Sequence, residues 1–166
     1  QDRPADRKFL RTPDPAYMVP AGRWLAGLGR VLAPLQITRG GPILMVQVEN
    51  EYGSYGSDKA YLGQVRDQLR AAGFEVPLFH CDGPSQMRND ARSDIFSVVN
   101  FGNNPKSAFE SLRKHRAAGP LMCGEFYPGW FDSWGSAHHR GPTDRILADL
   151  RWMLEQRASF SMYMAH

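Results

Sequence analysis

Short, almost wholly apolar runs alternate along this chain with longer segments in which apolar residues recur every three or four positions. Ile43 to Val48 is the first such run, and its almost wholly apolar character predicts a strand buried on both faces. Val76 to Phe79, Ile95 to Val99, Leu121 to Cys123 and Phe160 to Met164 predict four more strands, despite Pro77 and with Ser97 the one polar member of its run. Helical spacing joins Leu25, Leu28, Leu32 and Leu35, then Tyr61, Leu62, Val65 and Leu69, then Ile146, Leu147, Leu150 and Leu154. Ser107 to Ala118 completes the helical segments. Asp14-Pro15, Ser57-Asp58 and Thr143 read as helix starts, while Gly40-Gly41-Pro42, Gly73 and Gly119 read as stops. Pro20 moves the expected firm start of the first helix to the residues after it. The first eleven residues are polar and carry no period.

Strands that alternate with helices predict parallel βα units, either in a doubly wound sheet or in part of a (β/α)8 barrel. No Gly-x-Gly-x-x-Gly follows a strand, which weighs against dinucleotide binding. The composition, 42% hydrophobic and 22% charged, is that of a folded domain and excludes bulk disorder. Twenty Lys and Arg against 17 Asp and Glu leave a net charge of +3, too small and too evenly spread to point to nucleic acid. No run of 18 apolar residues is present, so no membrane span is expected. The first twenty residues hold no apolar block, so no signal peptide is expected there. Cys81 and Cys123 can neither build a disulfide scaffold nor match a zinc-ligand spacing.

Polar residues gather near the C-terminal ends of the strands, where α/β folds place their sites. Glu49-Asn50-Glu51-Tyr52 follows the first strand, His80-Cys81-Asp82 the second, Asn100-Phe101 the third and Gly124-Glu125-Phe126-Tyr127 the fourth. The last strand offers Tyr163 and His166. Two carboxylates on separate strand ends, among Tyr and Trp, suit glycoside hydrolysis, which needs one acid for the leaving oxygen and a second carboxylate as nucleophile or base. His80, Cys81 and Asp82 alternate across a strand and so cannot all chelate one ion. His138-His139 is expected to face solvent, and Met45, Met122, Met153, Met162 and Met164 to fill core.

The block from Gly40 to Gly56, GGPILMVQVENEYGSYG, resembles the signature of glycoside hydrolase family 35, the β-galactosidases. A second block from Gly124 to Gly135, GEFYPGWFDSWG, is similar to that family's nucleophile segment; Pro77 to Gly83 and Ser161 to His166 also fit. The similarity runs from about Arg11 to the last residue. It implies an α/β fold, an incomplete (β/α)8 TIM barrel of roughly strands 4 to 8, with residues 1–166 forming a partial catalytic domain. It implies Glu51, not Glu49, as acid/base and Glu125 as nucleophile. Asn50 would hold a galactose hydroxyl and Tyr163 would face the sugar ring. Trp130 and Tyr127 are expected as structural aromatics lining the mouth rather than as direct ligands. The implied reaction is retaining hydrolysis of terminal β-galactosides, with a galactoside as partner and no metal or other cofactor. His80 stands where the family pattern has threonine, and is expected near the site. A barrel lacking strands has unpaired sheet edges, which favour self-association. The competing readings are an inactive truncated remnant and a galactoside-binding protein without hydrolysis; the latter predicts loss of one carboxylate, and both are present.

Overall fold

The computed structural model describes residues 9–90 and 92–164, so His166 and the first eight residues lie outside it. Helix α1 (Pro15–Leu32) starts where the Asp14 carboxylate accepts the Ala16 amide at 2.7 Å and Pro15 takes the first turn. It runs straight through Pro20, contrary to the expected start after that residue. Pro20 lies on the exposed side of the helix, where water can take the carbonyl bond it forfeits. The chain continues as β1 (Val46–Gln47), α2 (Lys59–Ala71), β2 (Leu78–Asp82), a short α3 (Met87–Asp90), β3 (Phe96–Phe101), α4 (Pro105–His115), β4 (Met122–Phe126), α5 (Thr143–Glu155) and β5 (Ser159–Met162). Among the described residues, no helix is long and apolar enough to cross a membrane.

All five strands are parallel and lie in chain order, β1-β2-β3-β4-β5. A doubly wound sheet reverses its order at a switch point; this one does not, and it forms a curled part of a (β/α)8 barrel wall. Several strands differ from the apolar runs that predicted them, because pairing rather than hydrophobicity sets their ends. β2 begins after Pro77, which has no amide to donate, and continues through His80-Cys81-Asp82 because its ladder with β3 runs from Phe79–Phe96 to Asp82–Val99. β3 and β4 likewise run on past their apolar cores and include Asn100 and Glu125. β1 keeps only Val46 and Gln47 in the ladder, since β2 is its one neighbour. Leu44 beside it is 63% exposed, so the first run is not buried on both faces.

Two cores fix the strands. Val99, Phe101, Cys123 and Phe126 pack against Phe109 and Leu112 of α4 and Met153 of α5. Phe101 meets Phe109 and Phe126 edge-on, with ring centroids 5.4 and 5.9 Å away. Each such buried side chain stabilises the fold by roughly 1.5–3 kcal/mol. Val48, Leu69, Phe74, Leu78 and Ile95 form the second core with Ala33 and the apolar faces of α1 and α2. The two helices approach closely at Gly29, where a Cβ would fall 2.2 Å from the Ala72 carbonyl oxygen. Met153 is core as expected, but Met162 and Met164 are exposed by 39% and 62%.

Candidate active site

Glu51 is presented by a tight turn after β1. Glu49 and Glu51 both have left-handed backbones, φ 61° and 47°, each costing roughly 1–2 kcal/mol for a residue with a side chain. Side chains and backbone from elsewhere hold that turn. Gln47 Nε2 donates to the Glu49 carbonyl at 2.7 Å and to Asn50 Oδ1 at 3.0 Å. The Glu51 amide donates to the Cys81 carbonyl at 3.1 Å, and Ser54 Oγ donates to the Glu51 carbonyl at 2.7 Å. The Gly53 amide donates to the buried Asp82 Oδ1 at 2.8 Å. The two glutamates of the turn face different surroundings. Glu49 Oε1 and Oε2 accept from Arg11 at 3.0 and 2.8 Å, and Tyr61 OH also donates to Oε1. Glu51 instead lines a cavity.

Glu125 reaches the same cavity by a change in strand register. Between Cys123 and Phe126, β4 has three steps where β3 and β5 each have two: Val99 pairs with Cys123 and Phe101 with Phe126, while Phe160 pairs with Cys123 and Met162 with Phe126. The extra residue is a bulge. Cys123 and Phe126 both join the core against α4 and α5; strict alternation would have put one of them on the other face. The bulge absorbs the mismatch and turns Glu125 to the cavity.

One buried amide joins the two carboxyl sites. The Glu125 N–H donates to Asn100 Oδ1 at 2.9 Å, and Asn100 Nδ2 donates to Glu51 Oε1 at 3.1 Å. A backbone N–H can only donate, so it fixes the amide's orientation and leaves the NH2 for Glu51. Asn100 has no exposed surface. The space it needs comes from Gly124, where a Cβ would lie 2.8 Å from Asn100 Oδ1 and 2.9 Å from Val98 Cγ2. Sequence reasoning placed Asn100 at a strand end without assigning it a role, and the bulge had no sequence signal beyond the Gly-Glu pair itself.

The cavity has a volume of about 850 Å³ and an open mouth. Asn50, Glu51, Glu125, Tyr127, Trp130 and Tyr163 are among its walls, together with Phe131, His138, His139 and Met164. The structure thus brings together Glu51, Glu125, Asn50 and Tyr163, the four expected site residues. Trp130 and Tyr127 meet edge-on at 6.4 Å, and Trp130 is 69% exposed. His138 and His139 are exposed, as expected, but they belong to the cavity wall, where Asp132 accepts the His139 amide at 2.6 Å.

His80 is the exception. Its ring Nε2 lies 2.8 Å from Ser97 Oγ, deep in the fold, and it alternates with Cys81, whose Sγ faces Asn50 at 4.0 Å. His80 therefore points to the sheet face opposite the cavity and does not touch the site. Burial raises the Glu125 carboxyl above its usual range, and the charge of Glu51 pushes it the same way. Burial pushes the Cys81 thiol up to about 12, so it is no thiolate nucleophile at neutral pH. Among the described residues, no group of three His, Cys, Asp or Glu side chains is placed to hold a metal ion.

The family model for glycosyl hydrolases family 35 matches residues 4–166. A beta-galactosidase from Xanthomonas manihotis is 40% identical over 157 residues, covering 93% of this chain and 26% of its own length. Beta-galactosidases of Mus musculus and Homo sapiens are 40% and 38% identical, with 93% and 94% of this chain covered against 25% and 24% of theirs. The chain thus spans about a quarter of the length of these curated relatives. A solved beta-glucanase from Saccharophagus degradans, SdGluc5_26A, superposes with a TM-score of 0.55 over 90% of this chain and 52% of that one. At 13% identity it is a likeness of fold alone. Matched along nearly its whole length and carrying both motif glutamates on one cavity, the chain belongs to glycosyl hydrolases family 35.

Proposed function

We propose that this chain carries the catalytic pair of a retaining glycosidase acting on terminal β-galactosides. The observation that carries the reading is the convergence of Glu51 and Glu125 on one cavity through a single shared amide, Asn100. The names of its relatives supply the sugar: those matched along this chain are beta-galactosidases.

In this reading Glu125 attacks the anomeric carbon and forms a glycosyl ester, while Glu51 gives its proton to the departing oxygen and then takes one from water. Asn100 occupies Glu51 Oε1, which leaves Oε2 to carry the transferred proton. Burial, with the charge of Glu51 acting in the same direction, raises the Glu125 carboxyl above its usual range. Asn50 holds a sugar hydroxyl, Tyr163 faces the ring, and Trp130 and Tyr127 offer aromatic faces at the mouth. No step needs a cofactor.

The test is turnover of β-galactosides by a polypeptide extended at both ends of this chain, with Glu51→Gln and Glu125→Gln beside it. Loss of the general acid is expected to cost on the order of 10²–10⁴ in rate on poor leaving groups. Glycosylation by activated leaving groups, which need no proton, is expected to be partly spared by Glu51→Gln and not by Glu125→Gln. Equal losses on both substrate types in Glu51→Gln would reverse or remove the assignment.

A further inference from the structure

Resting on that reading, we propose that Arg11, Glu49 and Tyr61 form a clamp that aims Glu51, with Arg11 and Glu49 as positioning residues for its proton transfer. Glu49 is the other carboxylate of the turn, yet it is absent from the cavity walls. Its oxygens are committed elsewhere. Arg11 grips it with two parallel bonds, from Nε at 3.0 Å and from Nη2 at 2.8 Å, and Tyr61 OH of α2 donates to it as well. Glu49 Oε2 also accepts the Asn50 amide at 2.7 Å, and Arg11 Nη2 donates to the Asn50 carbonyl at 2.6 Å.

Those last two bonds give the clamp its reach. They hold both peptide groups flanking Asn50, the residue between the two left-handed positions. The second of those peptides sets φ of Glu51, so its rotation is the motion by which Glu51 would relax to an ordinary backbone, and that rotation swings the Glu51 side chain off Asn100. The clamp is itself fixed. The Arg11 guanidinium lies over the Tyr55 ring at 4.5 Å and the Tyr52 ring at 5.4 Å, and Tyr55 OH donates to the Leu10 carbonyl at 3.1 Å. Burial, reinforced by Glu49, keeps the Tyr61 hydroxyl protonated and hence a donor. The Glu49 side chain is only 12% exposed, so its pairing with Arg11 is shielded from solvent competition. The segment ahead of α1 thus acts on the site through a contact 38 residues away in sequence.

Two variants test this in the extended polypeptide. Glu49→Gln turns an amide NH2 toward the guanidinium donors, and Tyr61→Phe removes only the hydroxyl. Both are assayed as kcat/KM on an alkyl and a dinitrophenyl β-galactoside, and crystal structures are taken of each. Glu49→Gln is expected to lose on the order of 10–10² on the alkyl substrate and less than about threefold on the dinitrophenyl one, which needs no acid. Tyr61→Phe should follow the same split with a smaller loss. Equal loss on both substrates, or none on the alkyl one, overturns the proposal. In the Glu49→Gln crystal structure the 3.1 Å contact between Glu51 and Asn100 should be broken; its survival overturns the clamp whether or not the protein turns over. Failure of the parent reading looks different: the unmodified polypeptide is then inactive, or Glu51→Gln shows no leaving-group split.

Discussion

The two carboxylates of the cavity are aimed by opposite means. Glu51 sits in a strained turn whose backbone is held by side chains from β1, β2 and the segment before α1, with Tyr61 of α2 bonded to the Glu49 side chain beside it. Glu125 sits inside a strand, and an extra residue in the ladder turns it, with one side chain, Asn100, taking its amide. A turn held by side chains can be loosened bond by bond. A bulge is a register, and register changes all at once, because one residue of slip sends each side chain to the other face. The comparison predicts graded losses around Glu51 and abrupt ones around Glu125.

The largest effect should come from the ring itself. Both means rely on neighbours, and a (β/α)8 barrel surrounds its site with eight strand ends; the described residues supply five. Assayed alone, the 166-residue chain is expected to turn over galactosides at least about 10³-fold more slowly than the extended polypeptide, since catalytic groups must be held within about 0.5 Å. It is also expected to self-associate, through edges where Leu44 and Met164 are exposed by 63% and 62%. Activity assays and light scattering decide; a monodisperse chain with robust turnover would show that both carboxylates are aimed without the rest of the wall.

Gly124→Ala comes next and attacks the bulge. Its Cβ would press on Asn100, Val98 and Cys81, at 2.8, 2.9 and 3.2 Å. Overpacking of this kind costs about 1–3 kcal/mol, and turnover is expected to fall on alkyl and dinitrophenyl substrates alike, because the nucleophile serves both. Sparing of the dinitrophenyl substrate would place the damage on the Glu51 side instead.

A smaller effect, of opposite sign, concerns stability. The Glu125 carboxyl is raised in the folded protein, so folding favours its protonated form. That costs nothing below the unfolded value, roughly 4.3. The cost grows as pH rises from there through the folded value and is complete above it. Glu125→Gln should therefore melt higher than the parent at neutral pH, with the gap closing below about pH 4. Melting curves at both pH values check this; a constant gap would mean that the charge is not its source.

The smallest effect should be at His80. Its ring faces Ser97, away from the cavity, so His80→Thr is expected to leave KM for galactosides within about twofold while lowering the melting temperature through lost packing. A KM change larger than that would connect the outer sheet face to the sugar.

Much of this molecule is legible in its sequence alone. The alternation of short apolar runs with helical periods specified parallel βα units, since a strand and a helix bury side chains with different periods. The blocks around Glu51 and Glu125 marked both carboxylates, and Asp14-Pro15 marked the start of α1. Three things were decided only in three dimensions. The ends of β2, β3 and β4 depended on which strands they pair with, and pairing is a property of neighbours remote in sequence. The separate fates of Glu49 and Glu51, two residues apart, depended on Arg11 and Tyr61, brought to one of them from either side. The aim of Glu125 depended on a bulge that exists only because β4 has one residue more than both strands beside it. A sequence lists residue types and local spacing, but register and clamping arise only when distant segments share the same space.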